Sequence, residues 1–207
     1  MRVLPSGSCG LLLECLDLDE VLGLYAALLA DTPDGVIDVV PAARTVLLVL
    51  DPAITTPSQV RASVEGLDVV THERTAGEAQ EVLEVPVVYD GADLGDVADI
   101  LGCDRDEVIR RHTSALWTVA FCGFVPGFGY LTADQGEWDL PRRDSPRTRV
   151  PAGSVALAGE FTGVYPRESP GGWQLIGRTD LPPFDLDRDP PAVLSPDTRV
   201  RFVAVDP

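Results

Sequence analysis

The sequence is most constrained between Phe121 and Thr179, where glycine and proline recur every few residues. Ten of the 19 glycines in this 207-residue chain fall within that stretch. Glycine readily adopts positive φ and lets another backbone segment approach closely, whereas proline fixes φ and removes a hydrogen-bond donor. Short apolar runs such as Val150–Ala158 and Trp173–Ile176 lie between these residues. The pattern predicts short strands joined by tight turns, which is typical of a closed or nearly closed β-barrel.

The same pattern extends over the whole C-terminal part, which we predict to be one mainly β domain at residues 81–207. Val82–Tyr89 reads as a strand at a sheet edge, because it contains a proline. Two short helices follow, capped by Asp93 and by Asp104, and Gly102 ends the first of them. The further predicted strands are Trp117–Cys122, Val150–Ala158, Gly163–Tyr165, Trp173–Ile176 and Arg199–Val205.

Residues 1–75 have a different pattern, with helical periodicity between β-rich runs. Asp17 begins a capping box and a helix that runs to about Ala30. Thr56 and the proline after it begin a second helix, which ends near Gly66. The β-rich runs are Val3–Leu4, Leu11–Leu16, Val36–Val40 and Thr45–Leu50. This order predicts a small α+β domain with both helices on one face of an antiparallel sheet, and the polar segment Thr71–Gln80 is the predicted linker.

The net charge limits the possible partners. The chain carries a formal charge of −17, and all of its 16 basic residues are arginine. Such a chain is repelled by nucleic acid and by anionic membrane surfaces, so we expect neither as a partner. The N-terminus has no signal-peptide or membrane-span pattern, which favours a cytoplasmic protein. The four scattered cysteines predict neither a disulfide framework nor a metal site; they are Cys9, Cys15, Cys103 and Cys122.

Arginine is therefore the only cation available to a binding site. Arg142 and Arg143 lie in a proline-stiffened loop, and Arg178 ends an apolar strand. A guanidinium group can bind a carboxylate or phosphate through two parallel hydrogen bonds, although pairing with a local Asp or Glu is the alternative for each of them. The turns Pro151–Ser154 and Ser169–Gly172 add backbone N–H groups that could form anion-binding nests. Neither turn is a Walker A loop, because the chain has no lysine.

Three blocks in this part of the chain resemble signature sequences of the KipI-like family. The blocks are FVPGFGYL, PRRDSPRTRVPAGSVALAG and TGVYPRESPGGWQLIGRT. The family is also called allophanate hydrolase subunit 1, the B-type subunit of 5-oxoprolinase, or carboxyltransferase domain subdomain C and D. The resemblance implies a cyclophilin-like barrel for the C-terminal domain. It also favours a ligand-facing role for His112, which matches a histidine that the family carries before the PGF block; a satisfied, half-buried histidine is the alternative.

The resemblance further implies a subunit of a heteromeric, ATP-dependent amidohydrolase that opens 5-oxoproline to glutamate. The implied partners are a KipA-like subunit (the C-type subunit of 5-oxoprolinase, or allophanate hydrolase subunit 2) and a third, LamB/YcsF-like subunit. Little activity is expected from this chain alone, and ATP is bound by the complex, on this chain or beside it. The alternatives are an allophanate hydrolase or urea carboxylase-type subunit, and a KipI-type inhibitor of a sensor histidine kinase. A prolyl isomerase is disfavoured, because the arginine, phenylalanine and glutamine pattern of cyclophilins is missing.

We place the predicted site on the barrel, where arginines and glycine-rich turns coincide. The predicted catalytic residues are His112, Arg142 and Arg178. The predicted substrate-binding residues are Phe128, Tyr130, Arg143, Pro151, Gly153, Ser154 and Gly172. No metal is predicted on this chain.

Overall fold

The computed structural model describes residues 1–67 and 81–207 of the chain. These residues belong to two compact units, one before and one after the stretch between them. The predicted linker Thr71–Gln80, with His72, lies outside the described residues.

The first unit is an antiparallel sheet of four strands with two helices. The strands are β1 (Arg2–Pro5), β2 (Gly10–Glu14), β3 (Val36–Pro41) and β4 (Thr45–Leu50), in the spatial order β1-β2-β4-β3. Helix α1 (Leu18–Ala30) packs on β3 and β4, and α2 (Pro57–Glu65) on β2. Both helices begin where the sequence predicts, because the Asp17 side chain accepts from the Glu20 N–H and Thr56 forms a complete capping box.

The second unit is built around a seven-stranded sheet with the order β12-β9-β10-β7-β6-β13-β5. Its strands are β5 (Leu83–Val87), β6 (Trp117–Cys122), β7 (Gly129–Ala133), β9 (Ser154–Ala158), β10 (Phe161–Val164), β12 (Gln174–Arg178) and β13 (Arg199–Ala204). β5 and β13 are parallel, and the other pairs are antiparallel. β8 (Arg147–Val150) and β11 (Ser169–Gly171) form a separate two-stranded ribbon.

The two end strands of this sheet are joined by a short bridge, which makes the sheet nearly closed. Val88, next to β5, and Arg178 of β12 exchange two backbone hydrogen bonds of 2.9 Å. The Gly91 N–H also donates to Ile176 O, at 3.2 Å. Closure covers strand edges that would otherwise expose unpaired backbone groups. The prediction of a mainly β, barrel-like unit is confirmed, and its cyclophilin-like character stays a prediction.

The interior of this unit is filled by large apolar side chains from the strands and from α3 (Leu94–Leu101) and α4 (Arg105–Ser114). Trp117, Leu131 and Phe202 are among the fully buried residues. α3 ends at Gly102 in the left-handed conformation, as predicted (φ 64°). The predicted strand Val150–Ala158 is instead two strands, β8 and β9, because Gly153 has φ 78° and turns the chain between them. β7 and β11 were not predicted.

A one-residue irregularity in β6 sorts its side chains onto two faces of the sheet. Val119 pairs with Leu131, but Phe121 pairs with Tyr130, so the register shifts between them. A β-bulge of this kind changes the face on which the following residues point. Val119 therefore faces the interior with Leu131, whereas Phe121 joins Tyr130 on the opposite face.

Candidate functional site

His112 lies in the interior, not at the surface of the barrel unit. Its side chain has no exposed area. Its ring packs against Trp117, Trp138 and Phe202. Both ring nitrogens are hydrogen-bonded, Nδ1 to the Tyr89 hydroxyl at 2.7 Å and Nε2 to Thr162 Oγ1 at 2.9 Å. No ring nitrogen is left over for a ligand, so the arrangement matches the satisfied histidine considered from the sequence.

The hydrogen bonds also assign the protonation state of His112. The Thr162 hydroxyl donates to Ala156 O at 3.2 Å, so it accepts from Nε2–H of the imidazole. Nδ1 then accepts from the Tyr89 hydroxyl. The ring is therefore neutral with its proton on Nε2, and burial lowers the pKa of His112 to about 3. A neutral, fully bonded imidazole joins α4, β10 and the segment after β5.

Aromatic side chains gather on the opposite face of the sheet, and we call them the outer aromatic cluster. Its members are Phe121, Phe124, Phe128, Tyr130, Phe161, Tyr165 and Trp173. Phe128 is at the centre, with ring centroids 5.0 Å from Tyr130, 5.2 Å from Tyr165 and 5.3 Å from Trp173, all edge-to-face. Such pairs are favoured by the aromatic quadrupole and make the cluster rigid.

The cluster and His112 are separated by the sheet itself. Neighbouring residues of a strand point to opposite faces. Leu131 pairs with Thr162, which binds His112, whereas Tyr130 contacts Phe161 on the other side. The structure thus brings Phe128 and Tyr130 together and does not bring His112 to them.

Phe124 is the exposed member of the cluster. Its φ is 68°, in the left-handed region, which is energetically unfavourable for any residue other than glycine. Phe124 is also 56% exposed. Its ring makes edge-to-face contacts with Phe128 and Tyr165. Backbone strain of this kind clusters at functional sites, which makes the turn at Phe124 a candidate part of a binding surface.

Arg142 lies beside this cluster, and its side chain is exposed. Burial raises the pKa values of Tyr130 and Tyr165, and the charge of Arg142 acts against that rise for both. Both hydroxyls therefore stay protonated at neutral pH, so each is able to donate a hydrogen bond. Phe128, Tyr130 and Arg142 form the part of the predicted site that the structure brings together.

Arg143 and Arg147 have a shared partner, Asp93, which the sequence did not reveal. Asp93 Oδ1 accepts from Arg143 Nη1 at 2.6 Å and from Arg147 Nη2 at 2.7 Å, and Oδ2 accepts from the Leu175 N–H at 2.7 Å. Burial would raise the pKa of Asp93, but the hydrogen bonds from Arg147 and Leu175 and the charges of both arginines outweigh it and lower the pKa. The predicted capping role of Asp93 is wrong: it occupies the N-cap position of α3, but its side chain makes no capping hydrogen bond.

The other predicted site residues serve mainly local structure. Arg178 pairs with Asp90 at 2.9 Å, and both side chains are about half exposed. In the Pro151–Ser154 turn, the Gly153 N–H donates to Tyr165 O and the Ser154 N–H to Pro151 O. These two donors are therefore unavailable to an anion. Gly172 uses its carbonyl to accept from the Arg143 N–H at 2.8 Å.

Three further findings concern the described residues. A shallow groove of about 230 Å³ is lined by Arg111, Gln135, Glu137 and Trp138, none of which belongs to the predicted site. Across residues 1–67 and 81–207, no three His, Cys, Asp or Glu side chains gather as metal ligands do. No helix in these ranges is long and apolar enough to cross a membrane.

Comparison with known sequences identifies relatives over most of the chain. A family profile described as "Carboxyltransferase domain, subdomain C and D" matches residues 1–194. The B-type subunit of 5-oxoprolinase from Escherichia coli O157:H7 is 50% identical over 124 residues, which are 58% of this chain and 57% of that protein. The corresponding 5-oxoprolinase subunit of Bacillus subtilis (strain 168) is 39% identical over 158 residues, or 72% of this chain and 66% of that protein. The aligned part of the chain thus spans less than two thirds of either relative.

Solved structures share the fold. A conserved uncharacterized protein from Pyrococcus horikoshii is 34% identical with a TM-score of 0.58, covering 99% of this chain and 98% of its own. The urea carboxylase of Kluyveromyces lactis has a TM-score of 0.75 at 18% identity, covering 100% of this chain and 23% of its own. At that identity the second likeness concerns the fold alone.

Proposed function

Because this chain belongs to the family of carboxyltransferase domains, subdomain C and D, we propose that it is the B-type subunit of a 5-oxoprolinase. The observation that carries the proposal is the 50% identity to the B-type subunit of the E. coli 5-oxoprolinase. The reaction adds water to the lactam carbonyl of 5-oxoproline, breaks the C–N bond and releases glutamate, coupled to hydrolysis of ATP. We also propose that the barrel unit has a cyclophilin-like fold and that residues 1–75 form a domain of their own.

The relatives are named as subunits, which supports a multi-subunit complex. We infer that this chain assembles with a KipA-like subunit and a LamB/YcsF-like subunit, and that ATP binds to the assembly. Its own part of the active site is the exposed surface of the outer aromatic cluster together with Arg142. Arg142 and the protonated Tyr130 hydroxyl supply positive charge and a hydrogen-bond donor, which stabilise the negative oxygen that develops when the lactam carbonyl is attacked.

The test is coexpression of this chain with both partner subunits, followed by measurement of glutamate released from 5-oxoproline and ATP. We expect turnover by the complex and negligible turnover by the chain alone. Turnover of allophanate or urea, with none of 5-oxoproline, would support the alternative enzyme. Inhibition of a sensor kinase by a complex that turns over none of these would support the binding protein.

Arg142→Lys in the same complex tests the site. Lysine keeps the charge but loses the planar fork. We expect kcat/KM to fall at least tenfold, about 1.4 kcal/mol of transition-state stabilisation, with an unchanged melting temperature. Arg149→Lys is the matched control, because Arg149 is largely exposed and pairs with Glu168 on the surface. Equal activities of the two variants would move the site away from Arg142.

A further inference from the structure

The loop that carries Arg143 and Arg147 is fixed to one continuous segment, residues 171–175. Arg147 pairs with Gly171 across the β8–β11 ribbon. The Arg143 N–H donates to Gly172 O at 2.8 Å. Pro141 O, at the start of the loop, accepts from Gln174 Nε2 at 3.1 Å. The loop backbone therefore lies along this segment, and the Leu175 N–H at its end donates to the Asp93 carboxylate.

The charges in this place do not balance. Two guanidinium groups, from Arg143 and Arg147, bind a single carboxylate, so one positive charge is left in excess. Asp93 is only 2% exposed, whereas the arginines are 31% and 23% exposed. The carboxylate is thus buried, and the two arginine side chains are partly exposed. An excess cation at a partly desolvated site attracts a further anion strongly.

Hydrogen-bonding capacity is also left over. Among the described residues, Arg143 Nε and Arg147 Nη1 are buried donors without an acceptor. Buried polar groups are nearly always paired, so two unpaired donors on guanidinium groups that share Asp93 Oδ1 call for an acceptor. A carboxylate has two oxygens and can accept from two such N–H groups.

Gln174 contributes an unpaired group of the opposite kind. Its side chain is 6% exposed, and Gln174 Oε1 is a buried acceptor without a donor among the described residues. The hydrogen bond to Pro141 O fixes the orientation of the Gln174 amide. Because a carbonyl oxygen can only accept, the amide atom that faces it is Nε2. The free acceptor requires an N–H or O–H donor from elsewhere.

We propose that Arg143, Arg147 and Gln174 form a binding pocket for an acidic amide, a small molecule with a carboxylate and an amide N–H. The carboxylate oxygens accept from Arg143 Nε and Arg147 Nη1, and the amide N–H donates to Gln174 Oε1. Asp93 holds the two guanidinium groups in place. The inference rests on the proposed function in one respect: 5-oxoproline is such a molecule, with its carboxylate on the carbon next to the ring N–H.

The pocket predicts a pattern of ligand preference in the 207-residue chain. Isothermal titration and NMR shift perturbation would compare 5-oxoproline with 2-pyrrolidinone, which lacks the carboxylate, and with N-methyl-5-oxoproline, which lacks the N–H. N-acetylglycine and N-acetylsarcosine give the same N–H comparison without a lactam ring. We expect the ligands with both groups to bind at least tenfold more tightly than those missing one.

Two variants separate the two halves of the pocket. Arg147→Gln should abolish the preference for the carboxylate, and Gln174→Leu should abolish the preference for N–H over N-methyl while keeping the first preference. Arg149→Gln, in the same strand as Arg147, is the control and should bind as the unchanged chain does. Gln174→Leu leaves the ion pairs intact, so a folding defect of Arg147→Gln would not remove the test.

The outcomes distinguish this inference from the proposed function. If the complex turns over 5-oxoproline but neither variant changes its KM or the ligand preferences, the pocket is refuted and the leftover groups bind only water. If the complex is inactive on 5-oxoproline but N-acetylglycine binds with the expected preferences and variant effects, the pocket stands and the function is refuted. Equal binding of all probes by the unchanged chain would overturn the pocket directly.

Discussion

His112 lies between the Tyr89 hydroxyl and Thr162 Oγ1 in the interior of the barrel unit. Burial makes the charged imidazolium unfavourable there, which lowers the pKa to about 3, against an ordinary value of 6.5. In the unfolded chain the same ring would be protonated below its ordinary pKa. Each proton that the unfolded state binds and the folded state does not lowers the stability of the fold.

Stability should therefore decline on the acid side of pH 6.5. The contribution of His112 is fully present above that pH and is lost as the pH falls toward 3. Between pH 6.5 and 5 the loss is roughly 1.5–2 kcal/mol, from a limiting slope of about 1.4 kcal/mol per pH unit. Urea unfolding at several pH values measures it. His112→Gln should be less stable at pH 7.5, and its stability should change less with pH than that of the unchanged chain. Equal slopes in the two proteins would contradict the prediction.

At the scale of elements, the turn at Gly153 joins β8 to β9 and connects them to two other segments. Gly153 donates its N–H to Tyr165 O at 2.7 Å and accepts from the Thr179 N–H at 2.8 Å. It has φ 78°, and a Cβ here would collide with Thr179 O. Gly159, which precedes β10, also has positive φ (56°), but a Cβ there would meet no atom within 4 Å.

These two glycines make a matched pair. Gly159→Ala adds only the backbone strain of the left-handed region, about 1 kcal/mol. Gly153→Ala adds the same strain and also forces the Thr179 carbonyl away from the turn, so we expect a loss of roughly 3 kcal/mol. Chemical denaturation of both variants measures the difference. Similar losses of stability in the two variants would mean that a small shift of the turn accommodates the added Cβ, and that the turn does not fix the position of Tyr165.

At the scale of the whole molecule, the barrel unit has its own core. Every member of that core lies between residues 83 and 202, and the sheet is nearly closed by the Val88–Arg178 bridge. The described residues before position 68 form a second compact unit with its own buried strands and helices. Such units fold separately when few contacts cross between them.

A fragment of residues 81–207 should therefore fold alone, and limited proteolysis of the full chain should cut within residues 71–81. Circular dichroism and thermal unfolding of the fragment would be compared with those of the full chain. We expect cooperative unfolding of the fragment. A fragment that unfolds without a transition, or protease cleavage with no preference for this segment, would indicate one interdependent domain.

Local signals in the sequence determined much of the fold. The caps at Asp17 and Thr56 and the left-handed Gly102 were predicted because each depends on hydrogen bonds or backbone angles within a few residues. The glycine and proline pattern determined the short strands and tight turns, and the absence of lysine left arginine as the only strong cation. The three sequence blocks determined the family, because their residues are contiguous.

What the site side chains do depends on the tertiary structure. Asp93 binds Arg143 and Arg147 across 50 and 54 residues, and His112 binds Thr162 across 50, so no local pattern could reveal either partnership. The bulge in β6 moves Phe121 to the outer face, which strict alternation would not predict. A side chain's burial, charge state and free hydrogen-bonding groups depend on what chain closure brings against it, and the sequence determines that only through the whole fold.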